Sequence, residues 1–355
     1  MDPDFGIMHL VEPGQLKASN FITIFLSSDY NKKTYCHCVY SCCTENDCAK
    51  HDDFDIISST TNNLQYDACF HKSPDCENQK SVIDLIWTKR LLENPRLFNA
   101  TKFRIHHVAN CDMEKDKINM YLGVTDYKEF IGSNWAPNAK EIQGKGIELH
   151  NNSQAFLSDA LGVGASVLTT DNRLILLKRS DHCGEAPGLW DVPGGHAEPM
   201  KIVGDKNLEE IDVSSMDSSA VLHEVFDSII REIVDEVNIP LDQLGEAFYM
   251  GTHRNKQSAG RPSLAFVVKC SLSSEEVQAL YKQGSQQEAE ETTNILLPSL
   301  EEVAVMAKEK NNLWNNLAPS AKGNLTIFCL VYLGLCREFL GSELFQTFGP
   351  PQIAK

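Results

Sequence analysis

The chain has 355 residues, 42% of them apolar, which is enough for a core and fits one large domain or two ordinary ones. Its formal charge of −17 argues against nucleic acid and anionic membrane as partners, since both carry the same sign. An anionic ligand must therefore be met by local cations or by a metal.

The N terminus, Met1 to Phe5, begins acidic and lacks the basic stretch of a secretion signal, so a soluble protein of the cytoplasm or another intracellular compartment is expected. Residues 1–80 carry few readable elements. Phe21 to Leu26 reads as a strand, and Tyr30 to Lys80 is polar and rich in Asn and Cys. Seven of the twelve cysteines lie between Cys36 and Cys76, with His37, His51 and His71 among them. Their spacing does not match the repeated C-x2-C pair of a zinc knuckle. Reduced thiols are the plain reading, with zinc and disulfides as the alternatives.

Residues 81–155 read as a small α+β domain. Val82 to Leu92 has helical periodicity and stops at Asn94-Pro95. Lys102 to Val108 and Ile118 to Val124 alternate like an antiparallel pair, and a short helix over 126–135 leads to Trp135. A second domain is expected over 156–345, with 346–355 as a tail. Gly164 to Thr170 and Arg173 to Arg179 flank Asp171-Asn172 and predict a β-hairpin. Gly188 to Gly195 predicts a strand running into a glycine turn, and 200–219 a polar surface loop.

A helix follows, marked by apolar residues at Leu222, Val225, Phe226, Ile229, Ile230, Ile233, Val234 and Val237 and stopped by Pro240. Its segment Arg231 to Val237, R-E-I-V-D-E-V, brings Glu232, Asp235 and Glu236 together, because positions three and four apart are helix-surface neighbours. Acidic helix faces are often merely solvated. This one carries a single cation, Arg231, between His223 and Asn238, and such uncompensated carboxylates suit a hard divalent cation. Strands at Phe248 to Arg254 and Pro262 to Cys270, an acidic loop at Glu288 to Glu291, a strand at Asn294 to Leu297 and helices at 299–309 and 320–338 complete the domain. The uncharged run from Gly323 to Cys336 is too short to span a bilayer. This order predicts an α/β sandwich with a mixed sheet.

With these residues in place the chain resembles the Nudix hydrolases, whose signature is G-x5-E-x7-R-E-U-x-E-E-x-G-U, U being aliphatic. Gly195, Arg231-Glu232-Ile233, Asp235-Glu236 and Ile239 match it. An insertion separates Gly195 from Arg231, Lys201 stands at the first Glu position, and Asn238 replaces the late Gly. Glu224 is a candidate substitute for the missing glutamate. The interrupted box, with Asp191 to Pro199 (D-V-P-G-G-H-A-E-P), Leu161 to Ala165, Glu185 to Leu189, Leu97 to Arg104, Gly132 to Trp135 and Pro319 to Gly323, is similar to the UDP-glucose pyrophosphatase branch over roughly residues 80–325.

The resemblance implies a Nudix-type α/β/α sandwich beside the smaller N-terminal α+β domain. It implies Mg²⁺-dependent hydrolysis of UDP-glucose and UDP-galactose to UMP and the sugar 1-phosphate, with Mn²⁺ as a substitute cation. Glu232 and Glu236 are expected as metal ligands, Asp235 as a supporting group behind them or a ligand of an additional metal, Arg231 as an ion-pairing partner of the glutamates, and Glu291 or Glu288 as general base, with Glu236 or Asp235 as the alternative. Phe98 and Tyr127 are expected at the uracil, and Arg179, Gly184, Asp191, His196, Glu198 and Ser320 around phosphates and sugar. For Ser320 a plain helix cap is the alternative. A Nudix hydrolase of another substrate, such as ADP-ribose, and a non-catalytic nucleotide-binding module remain open, as does the oligomeric state.

Overall fold

The computed structural model describes residues 4–12, 14–30, 74–95, 97–111 and 117–335. In chain order the elements are β1 Phe5–Leu10, β2 Ile22–Leu26, α1 Pro74–Glu93, β3 Thr101–Asn110, β4 Ile118–Asp126, α2 Tyr127–Ser133 and α3 Ala139–His150. They continue with β5 Gly162–Leu168, β6 Leu176–Arg179, β7 Trp190–Asp191, β8 Gly194–His196, α4 Met200–Val203 and α5 Ser218–Val237. The last are β9 Leu244–Asn255, β10 Arg261–Cys270, α6 Ser274–Lys282, β11 Thr292–Leu296, α7 Leu300–Glu309, α8 Asn312–Asn315 and α9 Pro319–Val331.

The central sheet has five strands in the order β1-β9-β10-β5-β8 and is mixed: β10 and β5 run parallel, the other pairs antiparallel. β10 pairs Phe266 with Ala165 and Val267 with Ser166, so these neighbours share alternate faces. Phe266 meets Phe226 of α5 at 5.1 Å between ring centroids, whereas the Ser166 hydroxyl donates to Asn324 of α9 at 2.7 Å. The two helices therefore cover opposite faces, giving the expected α/β/α sandwich. A smaller antiparallel sheet, β11-β6-β7, and a mixed one, β2-β4-β3, flank it. The latter joins the sandwich through the Leu161 N–H to the Phe103 carbonyl at 2.8 Å and a bridge between Arg104 and Ala160.

Helix α5 forms for the reasons its sequence offers. Asp217 caps its start by accepting from the Ser219 N–H at 3.0 Å, and Val221, Val225, Ile229, Ile233 and Val237 are all fully buried. Asn238 ends it in the left-handed conformation, φ 68°, the position where the family pattern has Gly.

Several expectations change. The hairpin at Asp171-Asn172 closes its turn, with the Thr169 N–H on the Arg173 carbonyl at 3.0 Å, but its arms then part. β5 goes to the central sheet and β6 to the β11-β6-β7 sheet. The 200–219 stretch is no mere surface loop: it holds the one-turn helix α4 and buries Ile211, Val213 and Met216 in the core. β1, α3 and α6 are additional elements. β1 is the edge of the central sheet, and one hydrophobic core extends from Phe5 to Val331. Ser320 does not cap α9: Ala318 is the N-cap residue and Pro319 follows it. Of the cysteine-rich stretch, Cys36 to Cys69 lie outside the described residues, as do residues 336–338 of the last expected helix. No helix among the described residues is long and apolar enough to cross a membrane.

Candidate active site

The glycine turn and the acidic helix are bound to each other directly. The Gly194 N–H donates to Glu236 Oε2 at 2.9 Å, and the His196 N–H donates to Glu232 Oε1 at 3.2 Å. A side chain on Gly194 would run into backbone, and one on Gly195 would displace the Glu232 carboxylate. A β-carbon on Gly194 would lie 2.3 Å from the Val163 carbonyl, and one on Gly195 would lie 2.0 Å from Glu232 Oε1. Two turns before Glu232, Glu224 is buried, pairs with Arg231 (Nη2 to Oε1, 2.8 Å) and accepts from the Glu198 N–H at 3.0 Å. Glu224 is thereby engaged in positioning Arg231 and the segment after β8. Arg231 pairs with this glutamate.

A second acidic contribution comes from the loop before β11. Carboxylate oxygens of Glu236, Glu288 and Glu291 lie within 4.8 Å of one another. The Glu288 N–H donates to the Asp235 carbonyl at 3.0 Å, which anchors the loop to the C-terminal turn of α5. Burial, and then the Glu288 carboxylate, push Glu232 up to about 7. Burial, followed by Glu291 and Asp235, pushes Glu288 up to about 7. Glu236, buried beside Glu232, is pushed well above the ordinary carboxylate range. The protein alone does not compensate these anions. They are oxygen donors held together at a cost that a divalent cation would relieve, so the residues fit such an ion.

Glu232, Glu288 and Glu291 face a cavity of about 1040 Å³ that is also lined by Phe98, Tyr127, Arg179, Gly184, Asp191, His196, Glu198 and Ser320. Glu236 is buried and, like Asp235, is not among the lining residues. Cations supply the balance that the net charge withholds. Arg179 donates through Nε to the Glu185 carbonyl at 2.9 Å and lies 3.7 Å from Asp191, which accepts from the Ser320 hydroxyl at 2.7 Å. Lys102 pairs with Glu198. Burial, then Lys102, Arg261 and Arg179, push His196 well down, so its imidazole is neutral.

One wall of the cavity is aromatic. Tyr127, Phe130 and Trp135 line it, Phe130 packing against both others, with Phe98 at the rim and 75% exposed. A β-carbon on Gly184 would come 3.3 Å from the Tyr127 hydroxyl, so Gly184 keeps this wall thin. Lys102, Phe130, Trp135, Glu185, His253, Arg261 and Asn324 also line the cavity without having been singled out as site residues. Of these, Lys102, Trp135 and Glu185, inside the L-F-N-A-T-K-F-R, G-S-N-W and E-A-P-G-L segments, carry a sequence signal. Burial and then Arg261 push His253 down to about 3, leaving a neutral imidazole in this wall.

The uridine diphosphate glucose pyrophosphatase of Bos taurus is 39% identical over 262 residues, 73% of this chain and 88% of its own length. That of Homo sapiens is 40% identical over 249 residues, 70% of this chain and 80% of its own. Nudix hydrolase 9 of Arabidopsis thaliana is 33% identical over 235 residues, 63% of this chain and 73% of its own. No protein-family model matches the chain.

Proposed function

The chain belongs to the Nudix hydrolase family, and from that premise we propose that it is a divalent-cation-dependent UDP-sugar diphosphatase. UDP-glucose and UDP-galactose would yield UMP and the hexose 1-phosphate. The observation that carries the reading is the attachment of Glu232 and Glu236 to the turn Gly194–His196, beside a cavity that also has an aromatic wall. One site thus offers carboxylates for a cation, cations for a diphosphate and ring faces for a base.

Glu232 and Glu236 would hold the ion, with Glu288 and Glu291 within reach, and Mg²⁺ or Mn²⁺ suits such oxygen donors. Bound there, the ion neutralises phosphate charge and lowers the pKa of the attacking water. Arg179, fixed by the Glu185 carbonyl and Asp191, presents its guanidinium to phosphate oxygens. Ser320 and Asp191 hold each other and orient this wall. Tyr127, Phe130 and Trp135 form an apolar wall for uracil, with Phe98 at its rim. Glu288 is the proton acceptor we favour over Glu291: its pKa of about 7 matches neutral pH, whereas Glu291 is exposed.

The test is turnover of UDP-glucose, UDP-galactose, other nucleoside diphosphate sugars and ADP-ribose, with Mg²⁺, Mn²⁺ or EDTA. Cation-dependent release of UMP is expected from wild type and not from Glu232→Gln. Equal activity in that variant would sink the metal assignment. Turnover of ADP-ribose alone would move the substrate class.

A further inference from the structure

We propose that Arg261 is a positioning residue that fixes the tautomer of His196, so that His196 presents Nδ1–H to an acceptor oxygen of the ligand. Arg261 opens β10, and its side chain is 7% exposed. Its Nη1 lies 3.1 Å from His196 Nε2. A guanidinium has only donors and stays protonated, so the imidazole nitrogen facing it must carry the lone pair. The proton of a neutral imidazole then resides on Nδ1. His196 Nδ1 has no hydrogen-bond partner among the described residues, and the side chain lines the cavity.

Arg261 cannot readily swing away to release this constraint. Its Nη2 lies 3.3 Å from Glu185 Oε2, and its guanidinium lies over the Phe130 ring, 5.8 Å from the centroid. Glu185 Oε1 is itself held by the Asn255 amide at 2.9 Å and the Ser258 hydroxyl at 2.8 Å. Ser258 Oγ in turn accepts from Trp135 Nε1 at 3.1 Å. A continuous polar chain therefore runs from Trp135, through Ser258, Glu185 and Arg261, to the imidazole on the glycine turn. The His196 backbone N–H binds Glu232 at 3.2 Å, so this chain ends at the acidic helix. A donor fixed there favours a phosphate or hydroxyl oxygen and disfavours a donor-only group.

The experiment has two arms. The first is ¹⁵N NMR of the ligand-free full chain labelled at histidine, with His196→Asn identifying the signal. A pyrrole-like Nδ1 and a pyridine-like Nε2 are expected; a pyrrole-like Nε2 overturns the proposal. The second compares Arg261→Gln, which keeps an N–H donor, with Arg261→Met, which does not. It rests on the UDP-sugar reading. KM for UDP-glucose should rise roughly tenfold in Arg261→Met, the weight of one hydrogen bond, with kcat nearly unchanged and partial recovery in Arg261→Gln. A merely structural arginine would lower Tm equally in both variants and leave KM alone, which would also overturn it. Absence of any UDP-sugar turnover in wild type would remove the substrate reading, and the NMR arm would still decide the tautomer.

Discussion

A β-carbon on Gly195 would lie 2.0 Å from Oε1 of Glu232 and 2.2 Å from its carboxyl carbon. The turn is therefore built to let a carboxylate lie flat against backbone, and Glu232 is placed by contact with it as well as by the helix that carries it.

Gly195→Ala tests that placement. The new methyl must push the carboxylate aside by roughly 1 Å, and a displacement of that size at a reacting centre costs on the order of 100-fold in rate. kcat/KM for UDP-glucose should fall by about that factor, with weaker cation dependence and a Tm little changed. Wild-type kinetics in this variant would mean that Glu232 does not act where it is held.

Stability without a cation should depend on pH through Glu232. Its pKa rises from an ordinary 4.5 to about 7 on folding. Below about 4.5 both folded and unfolded chains bind the proton and nothing is lost. As pH climbs to about 7 the unfolded chain releases it first, so folding is increasingly penalised, fully so above 7. In EDTA, Glu232→Gln should therefore melt a few degrees above wild type near pH 8, and the gap should close near pH 5. Added Mg²⁺ should raise the wild-type Tm at pH 8 and leave the variant behind. A gap that is the same at both pH values would refute the raised pKa.

Much of this site was legible because its parts are local. The stripe from Val221 to Val237 and the lone Arg231 identify α5 as a packed helix with an acidic face. What stayed hidden depends on long-range pairing. The arms of the Asp171-Asn172 hairpin separate because β5 lies against β10, a partner that no feature of residues 164–179 names. α3 carries Gly144 and Gly146, which weaken a helical pattern. Gly146 is there for closeness, since a β-carbon would lie 2.4 Å from the Asn152 carbonyl after the helix. Arg261 precedes a proline at the head of a strand, and nothing local assigns it to Glu185, far earlier in the chain. Buried polar networks of this kind are fixed by the fold, after the elements are in place.

Arg231 should matter for stability more than for binding. Glu224 has a side-chain exposure of 6%, and Arg231, at 33%, is its cation. Removing the arginine leaves a carboxylate that still accepts from the Glu198 N–H but has lost its charge partner. Arg231→Met should cost about 2 kcal/mol, below the 3–5 kcal/mol of a fully buried pair because the arginine is partly solvated. Combining it with Glu224→Gln should recover part of the loss in chemical denaturation, since both charges are then gone. If the two single losses add without recovery, the pair is not the interaction being measured.

The two loop glutamates should separate kinetically. Glu288 is half-buried, is held to α5 through the Asp235 carbonyl, and is raised to about 7 by burial and then Glu291. Glu291 is exposed, and its carboxylate joins the same cluster from the solvent side. A base must be deprotonated to take a proton from water, so activity that depends on Glu288 falls as pH drops below its pKa. A bound cation lowers that pKa, which puts the acidic limb of the kcat profile no higher than about 7. Glu288→Gln should lower kcat by about 10²–10⁴-fold, the usual weight of general-base catalysis, and flatten that limb while KM stays nearly constant. Glu291→Gln should retain the limb and lose roughly tenfold or less, recoverable by raising Mg²⁺. The reverse ranking, with Glu291→Gln the variant that loses the limb, would assign the proton transfer to Glu291 and leave Glu288 as a cation ligand.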